Sequence, residues 1–215
     1  VSDAPSLPAR RTVVVATSNK GKIAELRALF ASLPIDWVTV GEAVGRPIEV
    51  VEDGDTFEAN ALKKAKTVAA ALAMPALADD SGLCVDALGG RPGVRSARWA
   101  GEGATDADNN RKLLAELAAE GREEGRTARF RCVLAFVDPA YPDQPLFAEG
   151  AVEGQIALGG RGQGGFGYDP IFLVAGDAAG RTMAELPDAE KNAISHRARA
   201  VAAMLPLLSR WCLGG

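Results

Sequence analysis

Two spacings of apolar residues alternate along the chain. Val13–Ala16 is a continuous apolar run, mostly β-branched, as in a buried strand. Ile23, Leu26, Leu29, Phe30 and Leu33 then recur at helical spacing, and Pro34 closes the segment. Trp37–Val40 reads as a second strand. Phe57, Ala61, Ala65, Val68 and Leu72 form the stripe of a helix beginning near Thr56. Asp55 and Glu58 stand at capping-box spacing before it, while Asn60, Lys63, Lys64 and Lys66 lie off the stripe. Pro75 ends that unit, and a short apolar run follows that is expected to end as a strand at Asp79-Asp80.

Glycines and arginines make Gly89–Gly103 a loop, and Thr105 with Asp108 offers a cap for a helix through Leu113, Leu114 and Leu117. Phe130, Cys132, Leu134 and Phe136 alternate, which predicts a strand with one well-buried face. A turn over Tyr141–Pro145 should return the chain as an antiparallel strand, Leu146–Ile156. Six of the nine residues Gly159–Gly167 are glycine, and the strand Ile171–Val174 follows Tyr168-Asp169-Pro170. Thr182 and Glu185 can cap a short turn, and one long helix is expected from about Asp188 to Trp211. Strand–helix units followed by a hairpin favour an α/β domain with a mixed sheet. The 215-residue chain fits a single domain, residues 12–215, behind a loose polar arm, residues 1–11.

Composition narrows the function classes. The net charge of −4 disfavours broad binding to a nucleic acid polymer. No apolar run approaches the roughly 18 residues of a membrane span, and Val1–Arg11 has no stretch of signal-peptide type. Cys84, Cys132 and Cys212 show no metal-ligand spacing and read as reduced, mostly core thiols, so a cytoplasmic location is expected.

Four groups of residues carry candidate chemistry. Thr17-Ser18-Asn19-Lys20-Gly21-Lys22 places hydroxyls, an amide, a glycine and two lysines where a strand turns into a helix. Free backbone N–H groups there attract anions, although the Walker A spacing is absent. Glu49, Glu52 and Asp53, with Asp79 and Asp80, supply hard oxygen ligands of the kind Mg²⁺ takes alongside phosphates. A solvated Asx turn is the alternative for Asp79-Asp80-Ser81-Gly82. Gly164–Asp169 combines close-approach glycines with Phe166 or Tyr168 as a flat face for a base. Lys191 and Ser195-His196-Arg197 hold the chain's one histidine between cationic neighbours. No Ser–His–Asp or cysteine-nucleophile spacing emerges.

These motifs, in order, resemble the Ham1/RdgB-type inosine triphosphate pyrophosphatases. The likeness is carried by Thr17–Lys22, Thr56–Asn60, Ala78–Leu83, Pro92–Arg98, Gly165–Pro170 and Lys191–Arg197, and runs from Val13 to about Arg199. It implies a two-lobed α/β fold with an elongated mixed sheet, a homodimer, and Mg²⁺-dependent hydrolysis of ITP, dITP and XTP to monophosphate and pyrophosphate. By matching position, Thr17, Ser18, Asn19, Lys20, Gly21 and Lys22 would bind the triphosphate. Asp80 would act as base and hold the metal with Glu52, and Ser81 would touch substrate. Phe166, Gly167, Tyr168, Asp169 and Lys191 would line the nucleotide pocket, and His196 and Arg197 would read the base. Two other readings stand beside this one: a pyrophosphatase for modified pyrimidine nucleotides, and a nucleotide sensor without turnover.

Overall fold

The computed structural model describes residues 10–119, 121 and 125–214. Most of the expected arm therefore lies outside the described residues. Within the described residues, six strands form one mixed sheet in the order β2-β1-β3-β4-β5-β6. β1 (Arg11–Val15) runs parallel to β2 (Ile35–Thr39) and to β3 (Ala76–Val85). β4 (Thr127–Val137), β5 (Leu146–Ile156) and β6 (Phe172–Val174) continue it antiparallel. Among the described residues, six α-helices flank these strands: α1 (Lys20–Leu29), α2 (Val40–Val44), α3 (Phe57–Leu72), α4 (Asp106–Ala119), α5 (Asp188–Ile194) and α6 (His196–Leu213).

The core divides as the elongated sheet requires. On one face, Leu77, Cys132 and Leu134 pack with Leu26 of α1 and with Ala200 and Met204 of α6. On the other face, Ala76, Ala78 and Val133 pack under Ala61, Ala65 and Val68 of α3. The far half has its own cluster, which includes Leu83, Leu113, Phe130 and Phe172. β1 pairs with β3 only through Val14–Ala76 and Val15–Leu77. Beyond that point a 3₁₀ turn over Gly93–Arg98 reaches the β3 edge, where the Leu83 N–H donates to Ser96 Oγ at 2.9 Å. Gly82 permits this approach, since a Cβ there would lie 2.5 Å from the Gly93 carbonyl oxygen.

Several expectations need correction. Asp79 and Asp80 do not end a strand, because β3 continues to Val85 in unbroken register with β4. Backbone pairing carries the chain past two carboxylates that nearby cations neutralise. The long final helix is two helices. Ser195 interrupts the helical backbone with ψ 156° and caps α6 by accepting from the Ala198 N–H at 3.1 Å. Thr56, not Asp55, caps α3 by accepting from the Ala59 N–H at 3.1 Å. The second strand stops at Thr39, whose reciprocal bonds with Glu42 start α2. The loop Gly89–Gly103 contains a helical turn, and β4 is buried on both faces over most of its length. The cap pairs Thr105–Asp108 and Thr182–Glu185 form as expected.

Candidate active site

The site lies where β1 ends and β3 runs on beyond it, still paired with β4. The chain leaves β1 through Ala16, and the side chain of Asn19 caps α1 by accepting from the Lys22 N–H at 3.1 Å. Thr17 Oγ1 accepts from the Asn19 N–H at 3.2 Å. Ser18 and Lys20 are exposed, and Lys22 reaches inward to an ion pair with Asp79. A Cβ on Gly21 would lie 3.0 Å from the Phe166 ring, so glycine lets that aromatic rest on the first turn of α1.

Alternation along β3 sends Asp79 and Asp80 to opposite faces. Asp79, 1% exposed, meets the α1 and α6 side. It accepts from Arg197 Nε at 3.2 Å and from the Cys132 thiol at 3.0 Å, besides pairing with Lys22. Burial alone would raise its proton affinity, but Lys22 and Arg197 hold the carboxyl well below the usual range. Cys132 goes the other way: burial and the Asp79 charge keep it a thiol, which suits a donor.

Asp80 meets α3. Its oxygens accept from Lys64 Nζ and from Asn60 Nδ2, each at 3.2 Å. Burial raises the Asp80 pKa, Lys64 and Lys22 offset part of that, and the Glu52 charge adds to the rise. Lys64 also lies 3.1 Å from Glu52, so one ammonium joins the two carboxylates. Burial works against that ammonium, and the charges of Asp80 and Glu52 outweigh it, so Lys64 stays protonated. Asp53, by contrast, pairs with exposed Lys63.

A second buried network adjoins the first. Lys191 lies 2.9 Å from Asp169 and 3.1 Å from Glu25, and Glu25 also pairs with Arg197. Arg197, 1% exposed, donates through Nη2 to Ser81 Oγ at 3.2 Å. Lys191 Nζ lies 4.8 Å from the centre of the half-buried Phe166 ring, and Arg197 Cζ lies 5.8 Å from it. Asp169 accepts from the Phe166 N–H at 2.9 Å, and Asp106 accepts from the Gly167 N–H at 2.7 Å. Tyr168 is buried and donates to the Ser96 carbonyl at 2.8 Å, so of the two aromatics Phe166 presents the accessible face. His196 stacks on Phe130 at 4.9 Å and 15°, and its Nδ1 has no partner among the described residues. Burial and the Arg197 charge keep that ring neutral.

The residues expected at the site therefore converge from five segments of the chain. Tyr168 and His196 reach it as packed, buried groups, while Ser18 and Lys20 stand at its rim. Glu25, Asn60 and Lys64 join the site in addition to the residues expected there. Asn60 and Lys64 stand four apart on α3, next to Ala61 and Ala65, and that spacing is the signal the sequence offers for them. Glu25 follows Lys22 on the first turns of α1, which gives less to go on.

The fold and this arrangement define an α/β protein with a cluster of buried, ion-paired acidic and basic side chains near the carboxyl end of its first parallel strand. The Ham1 family model matches residues 13–207, and the chain belongs to that family. The dITP/XTP pyrophosphatase of Geobacter sulfurreducens is 52% identical over 190 residues, covering 88% of this chain and 92% of that protein. The dITP/XTP pyrophosphatase of Methylococcus capsulatus is 52% identical over 196 residues, covering 91% and 94%. The solved structure of a HAM1 protein from Coxiella burnetii superposes with a TM-score of 0.84 at 43% identity, covering 93% of this chain and 99% of that one.

Proposed function

We propose that the chain is a Mg²⁺-dependent nucleoside triphosphate pyrophosphatase. It would convert dITP, XTP and ITP to the monophosphate and pyrophosphate and so clear them from the nucleotide pool. The observation that carries this reading is the meeting of Lys22 from the helix start with Asp79, beside an Asp80 joined to Glu52 through Lys64. The relatives named above act on dITP and XTP by name, which supports the substrate class.

Charge balance supports a metal. Lys22, Lys64, Lys191 and Arg197 already face Asp79, Asp80, Glu25, Glu52 and Asp169, so carboxylates outnumber cations. A triphosphate adds further negative charge, which a divalent cation would offset. No group of three or more His, Cys, Asp or Glu forms a cage among the described residues. Two neighbouring carboxylates instead fit Mg²⁺, which commonly takes one or two with water and substrate phosphates. Asp80 and Glu52 would hold it, and when bound it would neutralise phosphate charge and polarise the scissile anhydride.

The chain's own groups divide the remaining work. Backbone N–H groups of the first turn of α1, with Lys20 and Lys22, would hold the phosphates. Asp80, its carboxyl oriented by Asn60 and Lys64, would orient a water and take its proton. Asp79 would remain ionised and fix the Lys22 and Arg197 side chains. Phe166 would stack on the base, and Arg197 or His196 would donate to the keto oxygen that hypoxanthine and xanthine carry where adenine has an amino group. A homodimer in the cytoplasm belongs to this reading through the family likeness.

Pyrophosphate release from XTP, dITP, ITP, ATP and GTP, measured with Mg²⁺ and with a chelator, tests it. XTP and dITP should turn over fastest, only with Mg²⁺, and the product should be pyrophosphate. Equal rates on ITP and ATP, or release of orthophosphate, would overturn the reading.

A further inference from the structure

Asn60 is fully buried on α3, and its side chain joins two separate pieces of chain. Its Oδ1 accepts from the Gly54 N–H at 2.8 Å. That bond fixes the amide orientation, because a backbone N–H needs the oxygen. Nδ2 is thereby turned to donate to the Gly54 carbonyl at 3.3 Å and to Asp80 Oδ2 at 3.2 Å. Gly54 is shaped for this contact, since a Cβ there would lie 2.7 Å from Asn60 Oδ1 and 3.0 Å from the Ala59 Cβ. Two residues before Gly54, the Glu52 carbonyl accepts from Arg98 Nη2 at 2.9 Å. The acidic loop is thus held from both sides, by Arg98 on its backbone and by Asn60 through Gly54.

We infer that Asn60 is a positioning residue, setting Asp80 and the Glu52 loop at a fixed separation and leaving Asp80 Oδ1 to Lys64. The inference rests on the reaction proposed above for the same site. Asn60 touches neither phosphate nor base in this scheme, so its loss should affect the chemical step rather than nucleotide binding. Misplacement of a reacting group by about 1 Å can cost roughly a hundredfold in rate.

Two variants separate the halves of the clamp. Asn60→Ala removes all three bonds, whereas Asn60→Asp keeps an acceptor for the Gly54 N–H and loses the amide donor to Asp80 and to the Gly54 carbonyl. In Asn60→Ala the Gly54 amide should exchange with solvent faster by NMR. In the same variant kcat should fall by about tenfold or more while nucleotide KM stays within about twofold. In Asn60→Asp the Gly54 amide should stay protected while kcat falls as in Asn60→Ala. Unchanged Gly54 exchange in Asn60→Ala, or wild-type kcat in Asn60→Asp, would overturn the inference. A wild-type chain inactive on XTP and dITP would overturn the proposed function instead, and the exchange comparison would still decide the clamp.

Discussion

Asp79 and Asp80 are neighbours in sequence and sit on opposite faces of the sheet, Asp79 against Lys22 and Arg197 and Asp80 against Asn60 and Lys64. The strand alternation that separates them also gives them different chemistry. One carboxylate is saturated by cations, and the other has a raised proton affinity, mainly from burial.

Substitution should therefore tell them apart. Asp80→Asn is expected to abolish turnover while the fold and most nucleotide affinity survive. Asp79→Asn is expected to destabilise the fold by about 3–5 kcal/mol, because Lys22 and Arg197 lose a buried counter-charge. Urea unfolding and single-turnover kinetics on both variants check this. Near-normal kcat in Asp80→Asn would reject its role as base.

Arg197 donates to Asp79, Glu25 and Ser81 from three different nitrogens. Arg197→Lys keeps the charge and removes this fork. The preference for ITP over ATP should drop about tenfold or more if Arg197 reads the keto group. Comparing kcat/KM on the two nucleotides gives the ratio, and an unchanged ratio would shift base reading to another group.

The neutral, buried His196 predicts how stability follows pH. Its folded pKa lies well below the ordinary 6.5, through burial first and then Arg197. Below about pH 6.5 the unfolded chain binds a proton that the folded chain refuses. This contribution is full above that pH and is lost as pH falls, by up to about 1.4 kcal/mol per pH unit. Urea midpoints from about pH 8 to pH 5 should show a steeper acid loss for wild type than for His196→Phe. Parallel curves would contradict a neutral buried imidazole.

Gly150 lets α6 lie on β5. A Cβ there would come within 2.3 Å of both the Ala200 nitrogen and the His196 carbonyl oxygen. Gly150→Ala should cost about 1–3 kcal/mol and lower the thermal midpoint. Activity should fall too, since the shift falls on the helix start that carries Arg197. A midpoint equal to wild type would mean that α6 adjusts freely.

The parts of this site that sequence made legible were those with local signals. The lysines and amide after a β-branched run marked the start of α1, and paired acids marked Asp79-Asp80. Long-range burial was not legible. Lys64 and Asn60 lie off the apolar stripe of α3, so periodicity does not predict their burial, which depends on carboxylates from other segments of the chain. The same cause hid the continuation of β3: an apolar run ends at Asp79, but β4 supplies hydrogen bonds beyond it. The break at Ser195 was masked because apolar spacing runs on through α5 and α6, although a serine cap can start a helix anywhere the backbone turns.

A crystal structure of Asp80→Asn with dITP and Mn²⁺ in place of Mg²⁺ tests the arrangement most directly. The triphosphate should lie along Thr17–Lys22, with the anomalous peak of the metal between the phosphates, Glu52 and residue 80. Phosphates bound away from the start of α1, or a metal peak remote from Glu52, would contradict it.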